Sequence, residues 1–138
     1  MKNDLYITSN ALARKISSMA DERFKPFGIT TSYAYLLLAI YNRPGIGQKQ
    51  ICEEYHFAPS TVTRFMDKLE KKNLIVRKKN GKAVIPELTQ AGREISIKLS
   101  GELRSLNREI EKTLGSRFMD TFNRMIEHGL KEFEKKDP

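Results

Sequence analysis

Residues 60–72 place side chains of three chemistries in a fixed order. Short hydroxyls come first, at Ser60, Thr61 and Thr63, a guanidinium follows at Arg64, and ammonium groups close the run at Lys68, Lys71 and Lys72. A hydroxyl can bond a base edge or a phosphate, an arginine forks onto two acceptors, and a lysine acts as a point charge. Val62, Phe65, Met66 and Leu69 recur at helical spacing and set one apolar face aside for packing. The residues off that face are Ser60, Thr61, Thr63, Arg64, Asp67, Lys68, Lys71 and Lys72. A helix so divided suits a polyanion. The plain alternative for Ser60 and Thr61 is capping of the helix N-terminus, and the two roles are compatible.

A second basic cluster follows at once. Lys78, Lys79 and Lys82 surround Asn80-Gly81, and Asn-Gly between two extended runs is the strongest short-range hairpin signal. Between Ser60 and Lys82 stand eight basic and two acidic residues, so most of the chain's net charge of +8 is concentrated there. That concentration points to nucleic acid. A charged edge that resists strand pairing is the alternative for the hairpin taken alone. Beside the basic helix, backbone or minor-groove contact is the better reading.

Other classes fall away on composition. The chain has 138 residues, 39% of them hydrophobic and 30% charged, which suits a soluble globular domain. The uncharged stretch over residues 27–42 is too short to span a bilayer, and no secretory leader is evident, so a cytoplasmic location without membrane association is expected. Cys52 is the single cysteine, which excludes a disulfide framework and a cysteine-rich zinc site. His56 and His128 are too far apart for a conventional metal motif. No cofactor or metal is expected, and no glycine-rich phosphate loop, nucleophile elbow or paired-histidine helix suggests an enzyme. Cys52 reads as a small apolar residue on a helix and not as a redox sensor. His56 reads as an ordinary turn residue, with phosphate contact as the alternative. Tyr6, Tyr33, Tyr35, Phe24 and Phe27 read as core before effector lining.

The elements that position these residues can be laid out in order. Leu5, Leu12, Ile16 and Met19 give the stripe of a first helix that ends near Phe24. Thr30 or Thr31 opens a second, apolar nearly all round, that stops at Arg43-Pro44-Gly45. A short third helix fits residues 47–55, and residues 56–59 form a turn. The basic fourth helix starts at Ser60 and ends near Lys72 or Asn73. The hairpin follows, its second strand ended or marked as an edge by Pro86. Thr89 caps a fifth helix whose stripe is Ile95, Leu99, Leu103, Leu106, Ile110 and Leu114. Gly115-Ser116 breaks it, and Phe118, Phe122, Ile126, Leu130 and Phe133 define a sixth. The stripes of the last two helices require partners, from the first helix or from a second subunit. The expected fold is mainly α with one β-hairpin, a winged helix-turn-helix.

With these marks in place, the segment from Gly28 to about Ile95 resembles the MarR-type transcriptional regulators. The residues that carry the resemblance are Phe27-Gly28-Ile29-Thr30, Gln48-Lys49-Gln50-Ile51, Pro59-Ser60-Thr61-Val62-Thr63-Arg64, Leu69-Glu70-Lys71-Lys72-Asn73-Leu74-Ile75 and Leu88-Thr89-Gln90-Ala91-Gly92. It implies a single domain over 1–138, with a DNA-binding lobe over about 28–93 and dimerisation helices over about 4–25 and 90–135. It implies a homodimer on double-stranded DNA, a repressor of a pseudo-palindromic operator, and release by a small lipophilic or phenolic effector. Ser60, Thr61, Thr63, Arg64 and Lys68 become the expected contacts of the recognition helix. Lys78, Lys79 and Lys82 become those of the wing, and Gln48 and Lys72 further backbone contacts. One departure stands out. The family's wing usually carries Asp-x-Arg, whereas this wing is shorter and has no arginine at its tip. A lysine gains less than a guanidinium from a narrow minor groove, so weaker flank readout is expected. The rival readings are a winged-helix protein-interaction module and a sequence-neutral nucleic-acid binder.

Overall fold

The computed structural model describes residues 3–137. Helix α1 (Leu5–Phe24) begins where the Asp4 side chain accepts a hydrogen bond from the Ile7 backbone N–H at 3.0 Å. A 3₁₀ turn (Lys25–Phe27) closes on Gly28, which takes φ +67. Helix α2 (Thr31–Asn42) is apolar on most sides and buries Leu36, Leu37, Leu38, Ala39 and Ile40, as its composition requires. Helix α3 (Gln48–Tyr55) ends on His56 in the left-handed conformation, φ +56, which gives that histidine a turn role.

Helix α4 (Pro59–Lys71) starts one residue earlier than its hydroxyls suggest. Pro59 occupies the first turn, where a missing N–H is harmless, and the cap residue is Ala58, with no side-chain cap bond. Ser60 and Thr61 lie inside the helix, so the capping role considered for them is not theirs. Asn73, at φ +59, turns the chain out of α4.

Strands β1 (Ile75–Asn80) and β2 (Ala83–Leu88) pair antiparallel from Ile75↔Leu88 to Asn80↔Ala83. The two turn residues are therefore Gly81 and Lys82, not Asn80 and Gly81. Gly81 alone has positive φ, the pattern of a II′-type turn with glycine first. Asn80 is the last rung of the ladder. Pro86 does not end pairing either: it stands opposite Arg77, and the ladder continues to Leu88. Both strands of a two-stranded ribbon are edges, which is why the proline is tolerated.

Helix α5 (Gln90–Leu114) is tied to the base of the hairpin through Thr89. The Thr89 hydroxyl accepts from the Gly92 N–H at 3.0 Å and donates to the Asn73 carbonyl at 2.6 Å, while its backbone N–H donates to the Leu74 carbonyl at 3.1 Å. The expected capping role of Thr89 is met. A β-carbon on Gly92 would collide with the Leu74 carbonyl, so glycine is what lets α5 start this close to the end of α4.

The chain divides into two compact units within α5, between Leu103 and Arg104. The first has a core of Phe24, Leu36, Leu37, Ile51, Val62, Met66, Leu69, Ile75 and Leu99. In the second, Gly115 at φ +90 separates α5 from α6 (Ser116–Glu134). Helix α6 buries none of its residues fully, and Phe118, Met125, Ile126, Leu130 and Phe133 remain exposed.

Candidate nucleic-acid interface

The underside of α4 fixes which side chains look outward. Val62, Met66 and Leu69 are fully buried, and Phe65 packs edge-on against Tyr33, with ring centroids 4.7 Å apart. At ~100° per residue, the strip opposite the buried triad runs through Ser60, Arg64, Asp67 and Lys71, with Lys68 on one flank and Thr63 and Glu70 on the other. Ser60, Arg64, Lys68, Lys71 and Lys72 are all exposed, and Thr61 is half-buried. Among the described residues none of these lysines is ion-paired. Arg64 makes no ion pair either; its guanidinium lies 5.4 Å from the centroid of the Phe65 ring. Its five donors are thus left for an external acceptor.

Thr63 and Gln48 stand differently. The Thr63 hydroxyl donates to the Pro59 carbonyl at 3.0 Å and accepts from Gln48 Nε2 at 2.9 Å. One hydroxyl hydrogen and one lone pair are already used. Gln48, the first residue of α3, braces the first turn of α4, and its Oε1 is buried without a partner among the described residues. The structure thus joins these two residues to each other and adds one side-chain bond between α3 and α4.

The wing residues also separate. Lys78 is paired with Glu87 at 2.8 Å across the hairpin, which pushes its ammonium pKa up and compensates its charge. Lys79 and Lys82 are exposed and have no ion pair among the described residues, and Lys82 sits in the turn itself. The free charge of the wing is therefore two lysines near the tip.

A feature the sequence reading missed ties the wing to α4. Arg77 of β1 reaches Asp67 at 2.7 Å and Glu70 at 3.1 Å. Partial burial works against its charge, but hydrogen bonds and attraction from the two carboxylates outweigh it and hold the guanidinium protonated. The signal was in the chain: Asp67 and Glu70 are the only acids in the basic run.

A cavity of about 710 Å³ lies between the start of α3, Pro59, the turn residue Lys82 and the strand residues Ala83 to Ile85. Cys52 lines it and is half-buried. Burial pushes its thiol pKa up, with Glu53 adding to the effect, which keeps it in the unreactive protonated form. Of the aromatics considered above, Phe24 and Tyr33 are core and Tyr6 is 77% exposed. Phe24 meets Tyr35 edge-on at 6.2 Å. Among the described residues no group of three His, Cys, Asp or Glu could hold a metal ion, and no helix is long and apolar enough to cross a membrane.

Known proteins share this architecture. Residues 29–82 match the sequence model of the MarR family. Over 82 residues, 59% of this chain, the sequence is 30% identical to the HTH-type transcriptional repressor MdtR of Bacillus subtilis (strain 168). That stretch is 53% of MdtR, so the chain spans about half the length of the curated relative it matches. The crystal structure of the S. aureus MepR–DNA complex superposes with a TM-score of 0.82 at 17% identity, over 96% of this chain and 99% of that one. The transcriptional regulator SlyA superposes at 0.80 with 20% identity, over 97% and 96%. At these identities the likeness to the two structures is one of fold.

Proposed function

We propose, from the match of residues 29–82 to the MarR family model, that this chain is a regulator of that kind: a homodimeric, sequence-specific DNA-binding repressor of transcription. The observation that carries the reading is α4 itself: a fully buried apolar underside, and an outward strip where Ser60 and Arg64 are exposed with no acceptor among the described residues. An Arg fork on guanine is worth roughly 1–3 kcal/mol of discrimination, and the lysines beyond it suit phosphates. The MepR structure, a DNA complex of the same fold, supports the assignment of DNA as ligand. In a dimer, two copies of α4 would enter successive major grooves ~34–36 Å apart. The protein would act by occupying a promoter in the cytoplasm, without catalysis. A small lipophilic or phenolic effector would release it by favouring a different spacing of the two helices, to the extent of its differential affinity for the two states.

The test is a titration of labelled duplexes that tile the region upstream of the protein's own gene, against random duplex, at two salt concentrations. One tile is expected to bind roughly 10³-fold or more tightly than random duplex, with a pseudo-palindrome inside it. Equal binding to every tile, lost together as salt rises, would replace the reading with a sequence-neutral binder. No binding would leave the protein-interaction module.

A further inference from the structure

We propose that Arg77 is a positioning residue of the interface: it fixes the wing to the recognition helix so that both meet one DNA duplex in register. The inference rests on the DNA-binding reading above and deepens it, because Arg77 acts through other residues.

Three observations carry it. The first is geometric. Arg77 Nη2 lies 2.7 Å from Asp67 Oδ1 and 3.1 Å from Glu70 Oε1, and Nε lies 3.2 Å from that same Glu70 oxygen. A planar fork held at two carboxylates, three residues apart on one helix, fixes direction as well as distance, which a single flexible ammonium does not. The second concerns what else joins the two elements. Along the chain only Lys72, Asn73 and Leu74 connect α4 to β1, with Asn73 in the left-handed conformation at a chain reversal, and the packing that holds the hairpin is at its base, where Ile75 and Pro86 are buried. The tip of the hairpin, with Lys79 and Lys82, lies far along the ribbon from that joint, so a small rotation at the base becomes a large displacement there. The third is placement. Asp67 shares the outward strip of α4 with Ser60, Arg64 and Lys71. Without Arg77 it would offer a bare carboxylate to the phosphates. Arg77 is itself turned inward: its side chain is 25% exposed, against 54% for Asp67.

Charge compensation and wing orientation can be separated by experiment. Arg77→Met removes both. Adding Asp67→Asn and Glu70→Gln removes the tether but leaves no uncompensated acid. Arg77→Lys keeps the charge without the fork. Each is compared with wild type by operator affinity, random-duplex affinity and salt slope. Amide hydrogen exchange of residues 75–88 is followed in the DNA-free protein. The triple variant is expected to bind random duplex as wild type does, with an unchanged salt slope. It should lose roughly tenfold in preference for the operator, the equivalent of ~1.4 kcal/mol, and its wing amides should exchange faster. Arg77→Lys should show the same pattern more weakly. Wild-type operator preference and wild-type exchange in the triple variant would overturn the proposal and leave Arg77 a charge neutraliser. A salt slope reduced by about one in Arg77→Met and in the triple variant, but not in Arg77→Lys, would overturn it in favour of a direct phosphate contact. If wild type shows no operator preference, the sequence-specific reading fails and the role assigned to Arg77 with it. Exchange in the free protein still reports whether the tether exists.

Discussion

Gly92 has no room for a side chain. A β-carbon there meets the Leu74 carbonyl and lies 3.3 Å from Leu88 Cδ2, and neither the start of α5 nor the end of α4 can move without disturbing the Thr89 bonds. Gly92→Ala is therefore expected to cost about 1–3 kcal/mol of stability, read from urea unfolding, and an unchanged midpoint would refute the close approach. Much at this scale was legible in the sequence. Ser60 and Arg64 are outward, and Val62, Met66 and Leu69 inward, as the 3.6-residue period requires. What the period does not carry is contact between elements. Nothing in the spacing of Gln48 and Thr63 announces that one braces the other. Arg77 likewise meets acids seven and ten positions earlier only because the chain reverses at Asn73. The capping role for Ser60 failed for a local reason: Pro59 can begin the helix itself.

The wing shows the same division at the scale of an element. Its existence and its two-residue turn follow from Asn80-Gly81 between extended runs, but the turn is one residue later because glycine takes the first central position. That shift puts Lys82 in the turn and leaves Asn80 in the ladder. With Lys78 neutralised by Glu87, the wing brings two hydrated point charges near its tip and no guanidinium. It should therefore touch phosphates and read the flanks weakly. Lys82→Arg is expected to sharpen discrimination between A·T-rich and G·C-rich flanks while binding to random duplex stays close to wild type. A variant with the flank preference and salt slope of wild type would remove minor-groove proximity from the account.

At the scale of the molecule, the apolar surface that remains exposed is concentrated on particular helices. Leu5, Tyr6 and Ile7 are uncovered on α1, and Phe118, Met125, Ile126, Leu130 and Phe133 on α6. Met125 and Phe133 are 66% and 68% exposed, so a charge at either site costs the single chain little. If α6 is a dimer surface, Met125→Asp together with Phe133→Asp should give a folded monomer by sedimentation. It should also lower operator affinity by about 10²–10⁴, the contribution of linking two half-sites. A folded dimer in this variant would place the subunit contact elsewhere. The apolar stripes of these helices were legible in the sequence. The division of the chain between Leu103 and Arg104 was not, because the apolar stripe of α5 passes through it without a break.

Helix α6 contributes no fully buried side chain within its own chain, and most of a helix's stability in a protein comes from packing of its apolar face. If a second copy covers it, mass action decides how long it survives. Newly made chains at low copy number would then carry a frayed α6 that proteases can reach, while chains that have found each other would not. The cell would hold this protein in two populations of different lifetime, and its abundance would rise more steeply than its rate of synthesis.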